Sequence, residues 1–189
     1  MHLVVAFNSQ DTWTRDQWVV PYGKEDMFAD FEGWGEHVKK ILSLMKKSDV
    51  WALFNHPPAD TFFKGRICLL GDAAHASTPH QGAGAGMAVE DAYILANLVA
   101  EANDANDIPA AFAAYDAVRR PRTLKLVTTS KEGGQLYDYE LPGVEDDLDR
   151  VKEKLSTRMD WIWNENLEEE LAQAKETYRE RRSRERQRL

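Results

Sequence analysis

One acidic residue and three alternating glycines carry the clearest chemical signal in the sequence. Asp72 directly follows a short apolar run that ends at Gly71, and Gly82, Gly84 and Gly86 come shortly after it. A carboxylate accepts two hydrogen bonds from neighbouring hydroxyls of a polyol, and its charge makes them stronger than neutral ones. Glycines have no side chain, so a flat ligand can approach their backbone. Residues of these types can bind hydroxyls and a planar group.

The elements that position these residues are a strand and a helix. The run Ile67–Leu70 predicts a buried strand, and open α/β sheets bind ligands at the carboxyl ends of their strands. The alanines and spaced apolar residues that follow Met87 predict a helix continuing to about Ala102. The unpaired N–H groups of its first turn would point at the ligand and favour negative charge. The predicted order is strand, acid, glycine-rich turn and helix start.

Glycine spacing alone is a weak signal in this stretch. The dinucleotide fingerprint G-x-G-x-x-G would need a third glycine at position 87, where the chain has Met87. The alternative interpretation is a tight strand-to-helix turn whose glycines serve close packing only. The longer string around the glycines is more specific than the glycines themselves.

The string from Gly65 to Leu95 resembles the second FAD-binding motif of the flavoprotein aromatic hydroxylases. Residues 79–86, Pro-His-Gln-Gly-Ala-Gly-Ala-Gly, look most like the salicylate-hydroxylase branch. The resemblance implies that Asp72 binds the ribityl hydroxyls of FAD, that Pro79 lies beside the isoalloxazine, and that the glycine-rich backbone faces the pyrimidine edge of the flavin. It assigns cofactor binding to Gly71, Asp72, Pro79, Gly82, Ala83, Gly84, Ala85 and Gly86.

Two departures from the family pattern lie within that set. Many family members carry Gln and Asn at the positions of Ala83 and Gly86. Contacts made by those side chains are therefore absent here, whereas contacts made by the backbone would survive the change.

Two histidines lie in the same string. We expect His75 to be structural, with hydrogen bonds to backbone near the turn. His80 matches a histidine that lies on the substrate side of the flavin in the salicylate-hydroxylase branch, and its ring could orient or deprotonate a phenol. The alternative for His80 is a solvent-facing turn residue. The resemblance makes His80 the candidate catalytic residue.

Composition excludes several classes of protein. The 189 residues are 43% hydrophobic and 30% charged with a formal net charge of -8, which is typical of a soluble globular domain and argues against a nucleic-acid partner. The single cysteine, Cys68, cannot form an internal disulfide and is expected to be a buried thiol in a reducing compartment. We find no membrane-span pattern, secretory signal or metal-ligand motif, so the expected location is cytoplasmic.

Upstream of the motif, the sequence predicts short strands around one helix. Strands are predicted at residues 2–7, 17–20 and 51–54, and an amphipathic helix at residues 35–47. Four tryptophans are expected to face the core or cover a sheet rather than stack on a ligand: Trp13, Trp18, Trp34 and Trp51.

Downstream of the motif, the sequence predicts helices. Pro109 opens a helix over residues 110–118, and Gly133–Gly143 is predicted to be a loop. A long helix is predicted over residues 144–189, with a packing stripe formed by Met159, Trp163, Leu167, Leu171, Ala174 and Tyr178.

Three arginines follow the helix predicted at residues 110–118. Arg119, Arg120 and Arg122 could form an anion site. The favoured interpretation is that they are helix-end charges that face solvent or pair with nearby acids.

These elements predict an α/β fold with α+β character, an incomplete FAD/NAD(P)-binding type. The resemblance implies the end of a substrate-binding sheet at residues 1–60, the later part of the FAD-binding domain at residues 61–132, and a helical extension at residues 133–189. The G-x-G-x-x-G turn that holds the FAD pyrophosphate in the family does not occur in the sequence. Incomplete sheets expose edges and apolar surface, so self-association through the sheet is expected.

The sequence is compatible with two functions from different classes. The resemblance implies a flavin monooxygenase in which NAD(P)H reduces FAD, O2 is the oxidant, and a small phenolic or aromatic acid resembling salicylate is hydroxylated. The alternative is a truncated, non-catalytic flavoprotein relative that acts as a binding or interaction module.

Overall fold

The computed structural model describes residues 13–187, which are mostly helical with two small sheets. The predicted mixture of strands and helices is present, and helices predominate. The strand predicted at residues 2–7 lies outside the described residues. In chain order the elements are β1 (Val19–Pro21), α1 (Lys24–Asp30), α2 (Glu36–Ser43), β2 (Asp49–Trp51), β3 (Phe63–Lys64), β4 (Ile67–Cys68), α3 (Asp72–His75), a 3-10 turn (Pro79–Gln81), α4 (Gly84–Ala100), α5 (Ile108–Tyr137), α6 (Leu148–Thr157), α7 (Asp160–Trp163) and α8 (Leu167–Arg186).

The chain divides into two compact units, Met1–Leu53 and Phe54–Leu189. In the first unit, β1 and β2 pair antiparallel, with Val20 opposite Val50. The strands predicted at 17–20 and 51–54 therefore have shifted bounds. Cross-strand pairing decides which residues of a two-stranded ladder are extended, and a run of apolar residues does not contain that information.

The prediction that the tryptophans face a core is wrong for three of them. Trp18, Trp34 and Trp51 are 70%, 55% and 65% exposed. Within residues 13–53 the buried apolar side chains are instead Met27 of α1 and Leu42 of α2. Two-stranded ladders present little area for a large ring to cover, so the helices supply the buried surface of this unit.

The second unit is built around α4, α5 and α8, which pack against one another beside the β3–β4 hairpin. Small alanines on α5 let the helices approach closely, and aromatic rings fill the space beside them. The buried cluster comprises Phe62, Ala74, Ile94, Leu98, Ala110, Ala111, Ala114, Tyr115, Leu171, Ala174 and Tyr178.

Helix α5 is much longer than predicted. It runs for 30 residues, through Pro121 and through the Gly133–Gly134 pair that was predicted to begin a loop. Pro121 cannot donate to the carbonyl of Ala117, but both residues are exposed, so water can satisfy that carbonyl. Packing of both buried glycines against other side chains stabilises the end of the helix.

The long helix predicted at 144–189 is three helices, α6, α7 and α8. The Asn166 side chain accepts a hydrogen bond from Glu169 N–H and donates one to the Glu169 carboxylate. This capping interaction begins α8 as a separate helix. The predicted packing stripe is confirmed at Leu171 and Tyr178, which are buried, but Trp163 is 72% exposed. Because the helix is interrupted before Asn166, Trp163 does not lie on the buried face of α8.

Candidate functional site

The predicted acid lies at the start of α3, just beyond the β3–β4 hairpin. The predicted buried strand Ile67–Leu70 is extended only at Ile67 and Cys68. It is not buried, because Ile67 is 72% exposed and Cys68 is half-buried. Gly71 then turns the chain with φ 56°, a conformation that glycine adopts without strain. Asp72 is the first residue of α3, and its side chain is exposed. The carboxylate is therefore available to a ligand.

The glycine-rich stretch forms the start of α4. Gly82 has φ 62° and ends the 3-10 turn, and α4 begins two residues later at Gly84. The first N–H groups of α4 have no carbonyl within the helix to bind. A Cβ placed on Gly82 or on Gly86 would meet no atom within 4 Å. The backbone at this helix start is therefore open to a flat group.

Close packing brings the acid and the helix start together. A Cβ on Gly71 would lie 3.1 Å from the Cβ of Ala88, which is one turn into α4. A Cβ on Gly84 would lie 3.6 Å from Oγ of Ser77, in the connection between α3 and the 3-10 turn. The exposed carboxylate and the side-chain-free turn thus belong to one region of the second unit.

His80 and Pro79 lie in the 3-10 turn, against the end of α5. The Tyr137 hydroxyl donates to the His80 carbonyl at 3.2 Å, and the two ring centroids are 6.4 Å apart. A Cβ on Gly134 would lie 2.7 Å from Cε1 of His80, so the ring packs on the bare helix backbone. Burial lowers the pKa of His80, and Asp138 opposes that change. His80 is therefore half-buried and packs against the end of α5.

Two further contacts that the sequence did not reveal fix the 3-10 turn to α5. The Thr129 hydroxyl donates to Gln81 Oε1 at 2.6 Å, and the Ser130 hydroxyl donates to the carbonyl of Thr78 at 2.5 Å. Both hydroxyls come from consecutive residues of one helix. They hold the turn before and after Pro79, and they position the segment that leads to the glycines.

His75 is structural, as predicted, but its partner is a side chain. The imidazole is 1% exposed, and Nε2 donates to the Asp91 carboxylate at 2.6 Å. The same carboxylate accepts from Arg119 Nε at 2.7 Å. The sequence reasoning missed Asp91, although a signal existed: it is the one acid on the apolar stripe of α4 formed by Met87, Ile94 and Leu98. A buried acid requires a buried donor.

The three arginines pair with acids, which was the favoured interpretation. Arg119 contacts Glu90 and Glu170 besides Asp91. Arg120 contacts Asp116 at 3.3 Å, and Arg122 contacts Glu90 and Glu165. They lie within α5, however, and not at a helix end.

Known proteins resemble this chain over most of its length. A family model described as FAD binding domain matches residues 37–130. The chain is 40% identical over 179 residues to a salicylate hydroxylase of Pseudomonas putida, covering 91% of this chain and 41% of that protein. A solved salicylate hydroxylase substrate complex matches with a TM-score of 0.80 and 47% identity, over 87% of this chain and 41% of that one. The chain belongs to the FAD-dependent aromatic hydroxylase family.

A fungal member of this hydroxylase family gives a similar match. The 6-methylsalicylate 1-monooxygenase of Aspergillus terreus is 38% identical over 170 residues, covering 90% of this chain and 38% of that protein. The chain therefore spans about two fifths of the length of the curated relatives that it matches. The family consists of FAD-dependent monooxygenases, which are oxidoreductases.

The residues present fit the cofactor of this hydroxylase family. FAD carries a polyol chain, which suits the exposed Asp72 carboxylate, and a flat ring, which suits the open backbone at Gly82 and Gly86. None of the helices described between residues 13 and 187 is long and apolar enough to cross a membrane. Over the same residues, no cluster of His, Cys, Asp and Glu is arranged to hold a metal ion.

Proposed function

We propose that this chain is the flavin-contacting part of an NAD(P)H- and O2-dependent monooxygenase that hydroxylates a phenolic or aromatic acid resembling salicylate. The observation that supports it best is that Asp72 and the start of α4 lie close together, because Gly71 packs against Ala88. Neither feature alone is specific, but a polyol acceptor beside an open helix start suits FAD.

Each residue of the proposed site has a separate task. The Asp72 carboxylate accepts hydrogen bonds from the ribityl hydroxyls, and Gly71 allows the turn that presents it. Pro79 would contact the flavin ring, as the family resemblance implies. The helix start stabilises negative charge on the flavin through its free N–H groups, and this task falls to the backbone of Gly82, Ala83, Gly84, Ala85 and Gly86.

FAD would supply the redox and oxygen-activating chemistry when bound, and the protein would supply position and electrostatics. His80 is the proposed catalytic side chain. Burial lowers the pKa of His80, which favours the neutral imidazole, the form that can accept the proton of a phenol. Its packing on Gly134 limits the positions that the ring can take.

The proposed substrate class rests on the relatives. Their names specify salicylate and 6-methylsalicylate, both small aromatic acids with a phenolic hydroxyl. A neutral base such as His80 suits the hydroxyl of such a ring. NAD(P)H is the proposed reductant, as is general for the family.

We further propose the domain layout implied by the family. Residues 1–60 would end a substrate-binding sheet, residues 61–132 would form part of the FAD-binding domain, and residues 133–189 would be a helical extension. A cytoplasmic location and self-association through exposed sheet surface belong to the same proposal. Exposed Trp18 and Trp51 support the latter, since large exposed rings favour association.

The proposal is tested by adding FAD to the 189-residue protein and then adding aromatic ligands. FAD binding is followed by quenching of flavin fluorescence. Salicylate is then expected to perturb the flavin absorption spectrum, whereas benzoate, which lacks the hydroxyl, should perturb it less. Oxidation of NADH or NADPH in the presence of salicylate is measured next. A protein that binds no FAD would contradict the proposal and favour the non-catalytic module.

A further inference from the structure

One buried carboxylate accepts hydrogen bonds at both ends of the short helix α3, which begins with Asp72, the residue proposed to bind the ribityl chain. Asp91 Oδ2 accepts from Gly71 N–H at 3.1 Å and from His75 Nε2 at 2.6 Å. Gly71 directly precedes Asp72, and His75 is the last residue of α3. Asp72 therefore lies between two residues that one acceptor on α4 holds in place.

The Asp91 carboxylate is in turn held from α5. Its other oxygen, Oδ1, accepts from Arg119 Nε at 2.7 Å, and both side chains are fully buried. Burial alone would raise the pKa of Asp91, but hydrogen bonds from His75 and Arg119 lower it below its ordinary value. The acid therefore stays ionised and keeps accepting from all three donors.

Arg119 extends the network to α8, far along the chain. Its NH1 group donates to both oxygens of Glu170, at 2.8 and 3.1 Å. Its NH2 group lies 2.8 Å from Glu90 Oε2 and donates to the Met87 carbonyl at 3.3 Å. Glu170 is almost wholly buried, so this bond is not screened by water. A planar guanidinium with five donors can hold such a set of acceptors in one arrangement.

We propose that Asp91, Arg119 and Glu170 are positioning residues that couple the α8 helix to the cofactor corner Gly71–Asp72. The inference rests on the proposed function, because it assigns a purpose to a network behind the proposed flavin site. Asp91 fixes the corner against α4, Arg119 fixes the orientation of Asp91, and Glu170 fixes Arg119. None of the three belongs to the residues proposed to contact FAD.

The conformation of Gly71 makes the direction of Asp72 sensitive to this network. The backbone there has φ 56° and lies against Ala88, so a small movement of α4 relative to α3 changes the direction of the next residue, Asp72. The Gly71 N–H bond to Asp91 opposes that movement. Loss of a distant bond in the network should therefore be detectable at the Gly71 amide.

The test compares two substitutions in the first turn of α8. Glu170→Gln weakens the bond to Arg119. Glu168→Gln makes the same chemical change at an exposed residue whose side chain has no hydrogen bond or ion pair within residues 13–187. Hydrogen exchange of the Gly71 amide is measured without FAD, relative to the buried Leu98 amide on the same helix as Asp91. FAD affinity is measured on the same proteins.

The expected result is selective for Glu170→Gln. Gly71 exchange should become about fivefold faster relative to Leu98, and the FAD dissociation constant should rise by about fivefold, since a charge-assisted bond becomes a neutral one. Glu168→Gln should change neither. Asp91→Asn, if folded, should show larger effects of the same sign because it acts directly on the corner.

Two results would overturn the inference. The first is a Glu170→Gln protein whose Gly71 exchange, relative to Leu98, equals that of Glu168→Gln. The second is a loss of FAD affinity that is equal in both variants. Failure of the proposed function looks different: the wild-type chain would bind no FAD, while Gly71 exchange would still respond to Glu170→Gln.

Discussion

Arg119 Nε donates to Asp91 Oδ1 at 2.7 Å, and neither side chain has any exposed area. Removing the cation would leave Asp91 and Glu170 buried without their main donor. Breaking one side of a buried pair costs about 3–5 kcal/mol, because the remaining charge is uncompensated. We expect Arg119→Met to lower the free energy of unfolding by about that amount, measured by urea denaturation.

An exposed arginine provides the control for that substitution. Arg179 lies 3.5 Å from Glu101 and its side chain is 67% exposed. Arg179→Met should change the free energy of unfolding by less than about 0.5 kcal/mol. Equal stability losses in the two variants would show that the buried network stabilises the fold no more than an exposed ion pair does.

Stability should depend on pH through Glu90. Burial raises the pKa of Glu90, but the hydrogen bond from Arg122 and the charge of Arg119 lower it more, so the folded-state pKa lies below its ordinary value of 4.5. Such a group stabilises the fold above its unfolded pKa, and the contribution is lost as pH falls through the folded pKa. The free energy of unfolding should therefore fall as the pH drops below about 4.5 and through the folded-state pKa of Glu90.

Glu90→Gln removes that titration and should give a shallower acid limb, with lower stability near pH 7. Glu153→Gln is the matched control. Glu153 is exposed on α6, and its carboxylate has no partner among the residues that the structure describes. A Glu90→Gln profile with the wild-type slope would contradict the assignment.

Two glycines at the start of α4 should respond to alanine with opposite signs. Gly82 has φ 62°, where a Cβ costs roughly 1–2 kcal/mol although the space is open. Gly86 is helical and equally open, so alanine should stabilise the fold by up to about 1 kcal/mol. Thermal denaturation of Gly82→Ala and Gly86→Ala without FAD measures both. Destabilisation by Gly86→Ala would contradict the open space around Gly86.

The sequence predicted the order of elements around the candidate site more fully than it predicted the rest of the fold. The stretch from Gly65 to Leu95 predicted the order of strand, acid, turn and helix, since each of these is a local property of the chain. The end of α5 could not be predicted in this way. Gly133–Gly134 favours a loop by propensity, and it stays helical because the bare backbone of Gly134 receives the His80 ring, a contact between distant parts of the chain.

The buried network shows the same limit. Asp91 stands out on an apolar stripe, which signals that a partner exists but does not identify it. His75, Arg119 and Gly71 become its donors only when α3, α4 and α5 pack. A local pattern can therefore predict that a charge is buried, while its partners are set by tertiary structure.

Cys68 should be a poor nucleophile in the folded chain. Burial raises the pKa of its thiol from 9.0 to about 11, with smaller contributions from Asp116 and Asp91. The thiolate is the reacting form, so alkylation by iodoacetamide near pH 8 should be about a hundredfold slower than in the urea-unfolded chain. Rates within a factor of about three would contradict the raised pKa of this half-buried thiol.

The most direct measurement is the affinity of the 189-residue protein for FAD, compared between the wild type, Asp72→Ala and Asp146→Ala. Asp146 is an exposed acid without a hydrogen bond or ion pair among the described residues, so its variant controls for the loss of one negative charge. Flavin fluorescence should show saturable binding by the wild type and Asp146→Ala, and a dissociation constant at least about tenfold higher for Asp72→Ala. Equal affinities in all three proteins would contradict the assignment of Asp72 as the ribityl ligand.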